Sequence, residues 1–597
     1  MHKNLMIVPS VLNRAQRLLD SIQQCRVLAD WHFVSELQQW CLELELRREI
    51  RSDYISEKTN WFVLVDSGYP FGEIEFYPAV EGGIQATFPH QIRNDYKEKK
   101  SRWREGKLCL DTPYRDSVFT IDPVGNVEER LFWYVNRALE WLKKAANNTL
   151  LADGEPFELP WVTKNRLSDK FYFVHDESPE TFCNWQEYFG CWGRLKFSDL
   201  EQLPQAIVID HFLTVDNKMV RRWNGRQTKL IHKKLEGFWY LAEKPVIQPP
   251  WKHPENWGEL SRAISPNRDS FLECKEYIRK KLEGSKEIGI FLIGYPIPKY
   301  VGKENIEIAW YTIQLPRISS SIKDIPNGFR NNLLGRRMRA ELGCFKEDAK
   351  VSYISTKNWS KNRLNSRGRI EKKLADLNIG LVGVGALGSM LAELLARLGI
   401  KKMLLLDSDV LDSGNTCRHT ATLNDIGEHK VKTVHNRLLQ ISPHLQVLTN
   451  SDGLSGEAKA MAEILEPVDM IVDCTGSDEV IQLLSLNWWA IPKRIVSLSL
   501  GYKAQSLLVY GSYCNQFVAE DYFKWVEGPK RADEEKWEND GEVLEGSGCW
   551  SPLFPARYDD IVIAAGLCVK ELERIADLDL GVNRALVYQL TQCAEAK

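Results

Sequence analysis

The sequence predicts a multidomain chain of mixed α+β and α/β class: an α+β unit over residues 1–160, a middle linking domain over 161–345, and an α/β unit over 346–597. Three observations carry this expectation. The chain has 597 residues, more than one core needs, so two to four domains are expected. Its hydrophobic period is two between residues 40 and 76, loses any simple form through the middle, and becomes a strand–helix alternation after residue 378. The middle is too rich in aromatics and short apolar runs to be a disordered tether.

The elements follow in order. Asn13 to Cys25 reads as a helix. Trp40, Leu42, Leu44 and Leu46 alternate as in a half-buried strand, Trp61–Val65 is a continuous apolar strand, and Ile74 and Phe76 alternate again. From Val127 to Ala146 a stripe of Leu131, Val135, Ala138 and Leu142 marks a helix. In the middle, Ala206–Ile209 and Ile288–Ile293 are strand-like, and Pro249-Pro250-Trp251, Pro296 and Pro298 punctuate loops. Ser355–Arg369 is basic and Asn-rich. Thereafter come strand Asn378–Val384, helix Gly388–Leu398, strand Lys402–Leu406, helix Lys430–Ile441, strand Met470–Cys474 and helix Val480–Trp488, an order that requires a parallel, helix-covered sheet. Tyr513–Val543 is charged and aromatic without a period, as expected of a mobile loop, and Asp559–Ile575 is a closing helix.

Composition excludes several function classes. Net charge is -3, with signs interspersed, so no nucleic-acid footprint and no attraction to an anionic membrane is expected. Met1–Ser10 lacks the basic and apolar start of a signal peptide. Apolar runs such as Ile561–Val569 fall short of the roughly 18 residues of a membrane span. Thirteen cysteines, an odd number without framework spacing, suit a reducing cytoplasm. None are paired as C-x-x-C, so no zinc is expected.

The chemistry begins at Gly383-Val384-Gly385-Ala386-Leu387-Gly388, which follows a strand and opens a helix. Glycines there let backbone N–H groups approach phosphate oxygens, and Asp407, about 20 residues on, ends the next strand where a carboxylate holds ribose hydroxyls. Alone, this motif favours an NAD-type oxidoreductase. Asn415, Arg418 and Lys430 decide between the readings, because a triphosphate and its leaving group need cations that a dinucleotide bridge does not. Asp407-Ser408-Asp409-Val410, Asn415, Arg418, Gly427 and Lys430 together resemble the "DxDxVxxxNxxR…GxxK" pattern of the Rossmann-like adenylation domain shared by ubiquitin-activating enzymes and the ThiF/MoeB activators. The resemblance spans Ile379 to about Leu572 and implies ATP and magnesium, with Asp407 on ribose and Asn415, Arg418 and Lys430 along the triphosphate. That family's magnesium Asp falls here at Gly476, within Asp473-Cys474-Thr475-Gly476-Ser477-Asp478. Either Asp473 or its alternative Asp478 replaces it, or magnesium is held differently.

Two cysteines stand in chemical contexts. Cys549, in Gly548-Cys549-Trp550-Ser551-Pro552, is the candidate nucleophile that takes the acyl group from its adenylate; Cys514 is its competitor and Cys568, on a helix stripe, reads as core. Cys109 lies in Gly106-Lys107-Leu108-Cys109-Leu110-Asp111, after Tyr69-Pro70 and Phe88-Pro89-His90. This order resembles ubiquitin-conjugating enzymes, with their "HPN" element and G-x-x-C-L segment. Here the chain runs Pro89-His90-Gln91-Ile92, without the oxyanion Asn, so His90 is either a partial substitute or a buried structural histidine.

The whole order is similar to the fused ubiquitin-conjugating and ubiquitin-activating-like proteins of bacterial CBASS anti-phage operons. That resemblance implies a homodimeric enzyme that adenylates the C-terminus of a cGAS-like CD-nucleotidyltransferase, carries it on Cys549 and then Cys109, and joins it to target amines. The alternative is an activator of a ubiquitin-like or sulfur-carrier protein in another pathway.

Overall fold

The computed structural model describes residues 7–48, 52–96, 101–110, 121–200, 203–225, 230–231, 235–264, 268–282, 285, 287–315, 332, 334–335, 345–454, 456–540, 544–545, 551–552 and 556–590. The first unit starts with helix Ser10–Leu18, extended by a turn of 3₁₀ helix to Ser21, and continues as an antiparallel meander. Its strands are β1 (Cys25–Val34), β2 (Gln39–Arg47), β3 (Lys58–Asp66) and β4 (Ile74–Pro78), in sequential order. The alternation at Trp40, Leu42, Leu44 and Leu46 buries all four against the long helix Glu129–Ala146 and the first helix. That long helix sends Leu131, Val135, Ala138 and Leu142 into the same core. One face of the sheet is therefore sealed by helices, as the period-two pattern requires.

The middle unit is a mixed ten-stranded sheet. Its strands are β5 (Tyr172–His175), β6 (Trp192–Asp199), β7 (Ala206–Thr214), β8 (Met219–Arg222), β9 (Leu230–Ile231), β10 (Leu235–Leu241), β11 (Ile288–Pro298), β12 (Asn305–Gln314), β13 (Ser352–Ile354) and β14 (Thr356–Asn358). They run β13-β12-β11-β10-β6-β7-β5-β14, with β8 on β7 and β9 on β6. Both faces are covered, one by helices Trp257–Ala263 and Arg268–Leu282, the other by a cluster centred on Trp185, Trp239 and Trp310. This explains the absence of a simple period, since strands buried on both faces do not alternate. β13 and β14 correct the expected boundary at 345: the middle sheet takes its two edge strands from residues beyond it, β14 pairing in parallel with β5. At the other boundary Phe157 and Leu159 already pack on the middle core, and Pro156 bridges Tyr300.

In the last unit β15 (Asn378–Val382), β16 (Lys402–Leu406), β17 (Gln446–Asn450), β18 (Met470–Asp473), β19 (Trp488–Leu500) and β20 (Ser506–Gln516) join a final strand, Asn583–Gln589, in the order β17-β16-β15-β18-β19-β20-final strand. The first five run parallel; β20 and the final strand are antiparallel additions. Helices Ala386–Leu398, Lys430–Ile441 and Tyr558–Ala576 cover one face. The order reverses beside β15, and the crevice past the carboxyl ends of the strands at such a point is where open α/β sheets bind ligands.

Two sequence expectations fail here. The helix begun at Val480 instead spans Asp478–Ser485, and Trp488 opens β19. Tyr513–Val543 is not an irregular loop: β20 runs to Gln516 and a helix covers Ala519–Asp540, with Pro529 inside it. Ala519, Tyr522 and Val526, spaced three and four apart, bury one face of that helix against the β18–β20 side of the sheet. Among the described residues no helix is long and apolar enough to cross a membrane.

Candidate active sites

The Gly-rich turn leaves β15 and enters helix Ala386–Leu398 with Gly385 as its N-cap. Gly383 sits at φ +82°, and a Cβ there would lie 2.7 Å from Cγ2 of Thr475. A Cβ on Gly388 would lie 2.0 Å from the carbonyl oxygen of Gly383, closing the turn against the helix. Gly385 is different, with nothing within 4 Å of its would-be Cβ. The outer two glycines are required by packing; the central one leaves the helix N-terminus open to an anion.

Asp407, just past β16, braces this turn. Its Oδ2 accepts the N–H of Val384 at 2.8 Å and its Oδ1 that of Asp409 at 2.8 Å. His419, absent from the sequence expectations, braces it from the other side. Its Nδ1 accepts the N–H of Ala421, so its Nε2 carries the proton it donates to the Val384 carbonyl at 2.8 Å. Burial depresses the His419 pKa and keeps the ring neutral, which suits a donor beside Lys430.

The turn forms one wall of a cleft of about 1040 Å³. Gly383, Gly385, Asp407, Asn415, Arg418 and Lys430 all line it, so six of the residues expected at the nucleotide meet there; Gly388 stands behind, as a packing residue. Asn415 ends a short 3₁₀ turn whose N-cap is Asp412, and its Oδ1 accepts the Asp412 N–H. Lys430, the first residue of its helix, is mostly buried and pairs with Asp409 at 2.7 Å. The far wall comes from helix Ala519–Asp540, which brings in Lys530, Asp533, Glu534 and Trp537. Asp533 accepts the Tyr502 N–H at 3.0 Å, and Trp537 meets the Tyr502 ring edge-on at 4.8 Å. The spacing of Ala519, Tyr522 and Val526 is the signal that would have found this wall.

The two aspartates considered for magnesium are placed differently. Asp473 is fully buried at the end of β18, off the cleft lining. Its Oδ1 accepts the Thr475 N–H and hydroxyl, and its Oδ2 the Ser497 hydroxyl. Burial raises its pKa against the pull of those bonds. Asp478 is exposed and paired with Lys530. Neither carboxylate is poised for a metal: one has both oxygens engaged inside the core, the other holds a lysine.

Cys109 is exposed, on a segment that lies antiparallel to the Phe88–Asn94 loop. The Gln91 amide donates to the Gly106 carbonyl at 3.0 Å, and Ile92 N–H donates to the Lys107 carbonyl. The Cys109 N–H donates to the His90 carbonyl at 2.9 Å, which also accepts Trp141 Nε1 at 3.2 Å. Just beyond, buried Arg137 donates twice to the Leu110 carbonyl. The thiol thus stands between two backbone groups pinned to the long helix. Asn94, the one asparagine of that loop, is buried and spends its amide on the carbonyls of Ile84 and Ala86, so it stabilises the loop rather than facing the thiol. Cys549 lies outside the described residues, between the paired strands β21 (Leu544–Glu545) and β22 (Ser551–Pro552). Cys514 is half-buried in β20, and Cys568 is core, its thiol pKa pushed up by burial.

Residues 148–359 match the family described as the Cap2 central linker domain, and residues 360–510 match the ThiF family. Over 95% of its length the chain is 26% identical to the ATP-dependent ubiquitin transferase-like protein Cap2 of Enterobacter hormaechei subsp. hoffmannii, covering 94% of that protein. A protein of the same description from Escherichia coli (strain TW11681) is 34% identical over 58% of the chain and 52% of its own length. The molybdopterin-synthase adenylyltransferase of Escherichia coli (strain K12) is 30% identical over 21% of the chain and 51% of its own length.

Proposed function

We propose, from the premise that this chain belongs with the ATP-dependent ubiquitin transferase-like proteins and contains a ThiF-type adenylation domain, that it activates a protein C-terminus and relays it through two cysteines to an amine. The observation that carries the reading is the cleft wall on which open Gly385, Arg418 and Lys430 stand together. A helix N-terminus and two cations suit a triphosphate and the pyrophosphate that leaves it.

In the first step a substrate carboxylate oxygen attacks the α-phosphorus of ATP, the bond to the bridging oxygen breaks, and pyrophosphate departs. Lys430 and Arg418 stabilise the charge that grows on the leaving group, with Lys430 released from Asp409 as phosphate replaces it. Asp407 orients the ribose with the acceptor capacity left over from the turn. Magnesium neutralises phosphate charge in adenylation of this kind; Asp473 and Asp478 do not fit it as they stand, so no step is routed through it. Cys549 thiolate then attacks the acyl carbon and AMP leaves, giving a thioester. Cys109 thiolate displaces Cys549, and a target amine displaces Cys109 with loss of a proton, forming the amide. The acyl donor in this reading is the C-terminus of a cGAS-like CD-nucleotidyltransferase, and the working unit is a homodimer.

Incubation with ATP and that nucleotidyltransferase, followed by a non-reducing gel, tests the relay. A thiol-sensitive adduct is expected, lost in Cys549→Ala and kept in Cys109→Ala, with conjugates lost in both. An adduct that survives the double substitution overturns the relay, and pyrophosphate exchange indifferent to the donor's C-terminus overturns the substrate.

A further inference from the structure

We infer that Glu158, a residue anchored in the middle domain, is a positioning residue for the Cys109 site, acting through the backbone of His90. This rests on the reading of Cys109 as an acyl carrier and gives the middle domain a part in that step beyond spacing.

Glu158 belongs to the strap that leaves the first unit and lies along the middle sheet. Gly154 N–H donates to the Val301 carbonyl, Val301 N–H to the Glu155 carbonyl, and Phe157 N–H to the Lys299 carbonyl. On either side of Glu158, Phe157 and Leu159 pack into the middle core, and the Phe157 ring meets Trp251. Its backbone is thus fixed by one domain while its carboxylate reaches the other. Oε2 accepts the His90 N–H at 3.0 Å and lies 3.4 Å from the His90 ring Nδ1.

The bond matters because of what His90 is doing. His90 is left-handed, at φ 53°, a conformation costly for a residue with a Cβ and kept only where its surroundings impose it. That twist turns its N–H outward to Glu158 and its carbonyl inward to Cys109 N–H and Trp141. Glu158 and Cys109 therefore grip opposite ends of one strained residue. Three residues on, Arg93 pairs with Glu255 of the middle unit, an independent tie between the same loop and the same domain that does not touch His90.

The test uses the full-length chain and two readouts. Hydrogen exchange of the peptide spanning Cys109 reports its amide directly, whatever the cysteine does. Glu158→Ala, and Glu158→Asp with its carboxylate drawn back, are expected to speed that exchange about tenfold; Glu158→Gln, whose amide oxygen can still accept the His90 N–H, and Arg93→Ala are expected to change it less than about twofold. Transfer from Cys109 to amine, with the donor that supports pyrophosphate exchange, should fall about tenfold in the same two variants and be rescued in Glu158→Gln. Unchanged exchange in Glu158→Ala, or equal losses in Glu158→Gln and Glu158→Ala, overturns the inference. So does faster exchange with undiminished transfer. If Cys109→Ala itself leaves conjugation intact, the carrier reading is what falls, and the exchange data still decide the grip.

Discussion

The nucleotide cleft and the Cys109 site are built on opposite plans. The cleft wall draws its residues from one run of under fifty: Gly383, Gly385, Asp407 and Lys430 stand at strand ends or helix starts, and Asn415 and Arg418 on the connection between β16 and helix Lys430–Ile441. The Cys109 site draws on the Phe88–Asn94 loop, the Cys109 segment, the long helix through Arg137 and Trp141, and Glu158 from the middle domain's strap. A wall made from one run of the chain tolerates changes elsewhere; a site made from four pieces registers any loosening between them. The contrast gives a graded set of expectations.

The largest effect should come from Lys430→Ala. Removing a pre-placed cation from the leaving group should cost about a hundredfold or more in ATP–pyrophosphate exchange, while hydrogen exchange at Cys109 stays as in the parent. A response at Cys109 would mean the two sites are coupled more tightly than their plans suggest. Next is a matched pair of glycines. In Gly388→Ala the new methyl meets a backbone carbonyl that cannot yield, so a loss of about 3 kcal/mol is expected in denaturant titration of the carboxyl-terminal unit. In Gly106→Ala the methyl would lie 2.5 Å from the Asn94 side chain and 2.7 Å from that of Gln91, which can shift, so about 1 kcal/mol is expected, with slower transfer from Cys109. If Gly106→Ala were the more damaging, the composite site would be the more rigid.

The smallest effect concerns pH. His419 titrates below its unfolded value of about 6.5, so below that pH the unfolded chain takes up a proton that the folded chain refuses. Its contribution is complete above about pH 6.5 and shrinks as pH falls. His419→Asn should therefore reduce the stability difference between pH 7.5 and 5.5, read by urea titration. Buried His175 and His253, each depressed to about 3 by burial, retain their share of the slope in the middle unit.

The same contrast decides what the sequence could disclose. Strand Lys402–Leu406 and helix Lys430–Ile441 fall where periodicity alone puts them, and the residues of the cleft wall follow from spacing because a strand–turn–helix carries its geometry within itself. Lys530, Asp533 and Trp537 escaped because Tyr513–Val543, charged and aromatic without a period, reads as a loop, although a helix anchored by Tyr522 and Val526 runs through Gly528-Pro529. Glu158 was illegible for another reason: nothing local to it or to His90 says that the strap will pass that loop, which depends on how two domains dock. His419 sits beside Arg418 in the motif, but its role is a hydrogen bond to a carbonyl 35 positions earlier, which no short pattern encodes.

The edge strands of the middle sheet set an order of events during synthesis. β5 is made early, yet its partner β14 is completed only at Asn358, about 180 residues later, and β13 closes the opposite edge only shortly before. A ribosome therefore releases the whole first unit, and nearly all of the second, before the sheet between the two chemistries can be finished. The strap that bears Glu158 must wait for the β11–β12 turn around Tyr300 and Val301 to emerge before it has anything to lie against. Since domains fold as they leave the ribosome, amino end first, the cysteine loop at His90 is shaped without its outer grip and receives it only when the middle sheet arrives.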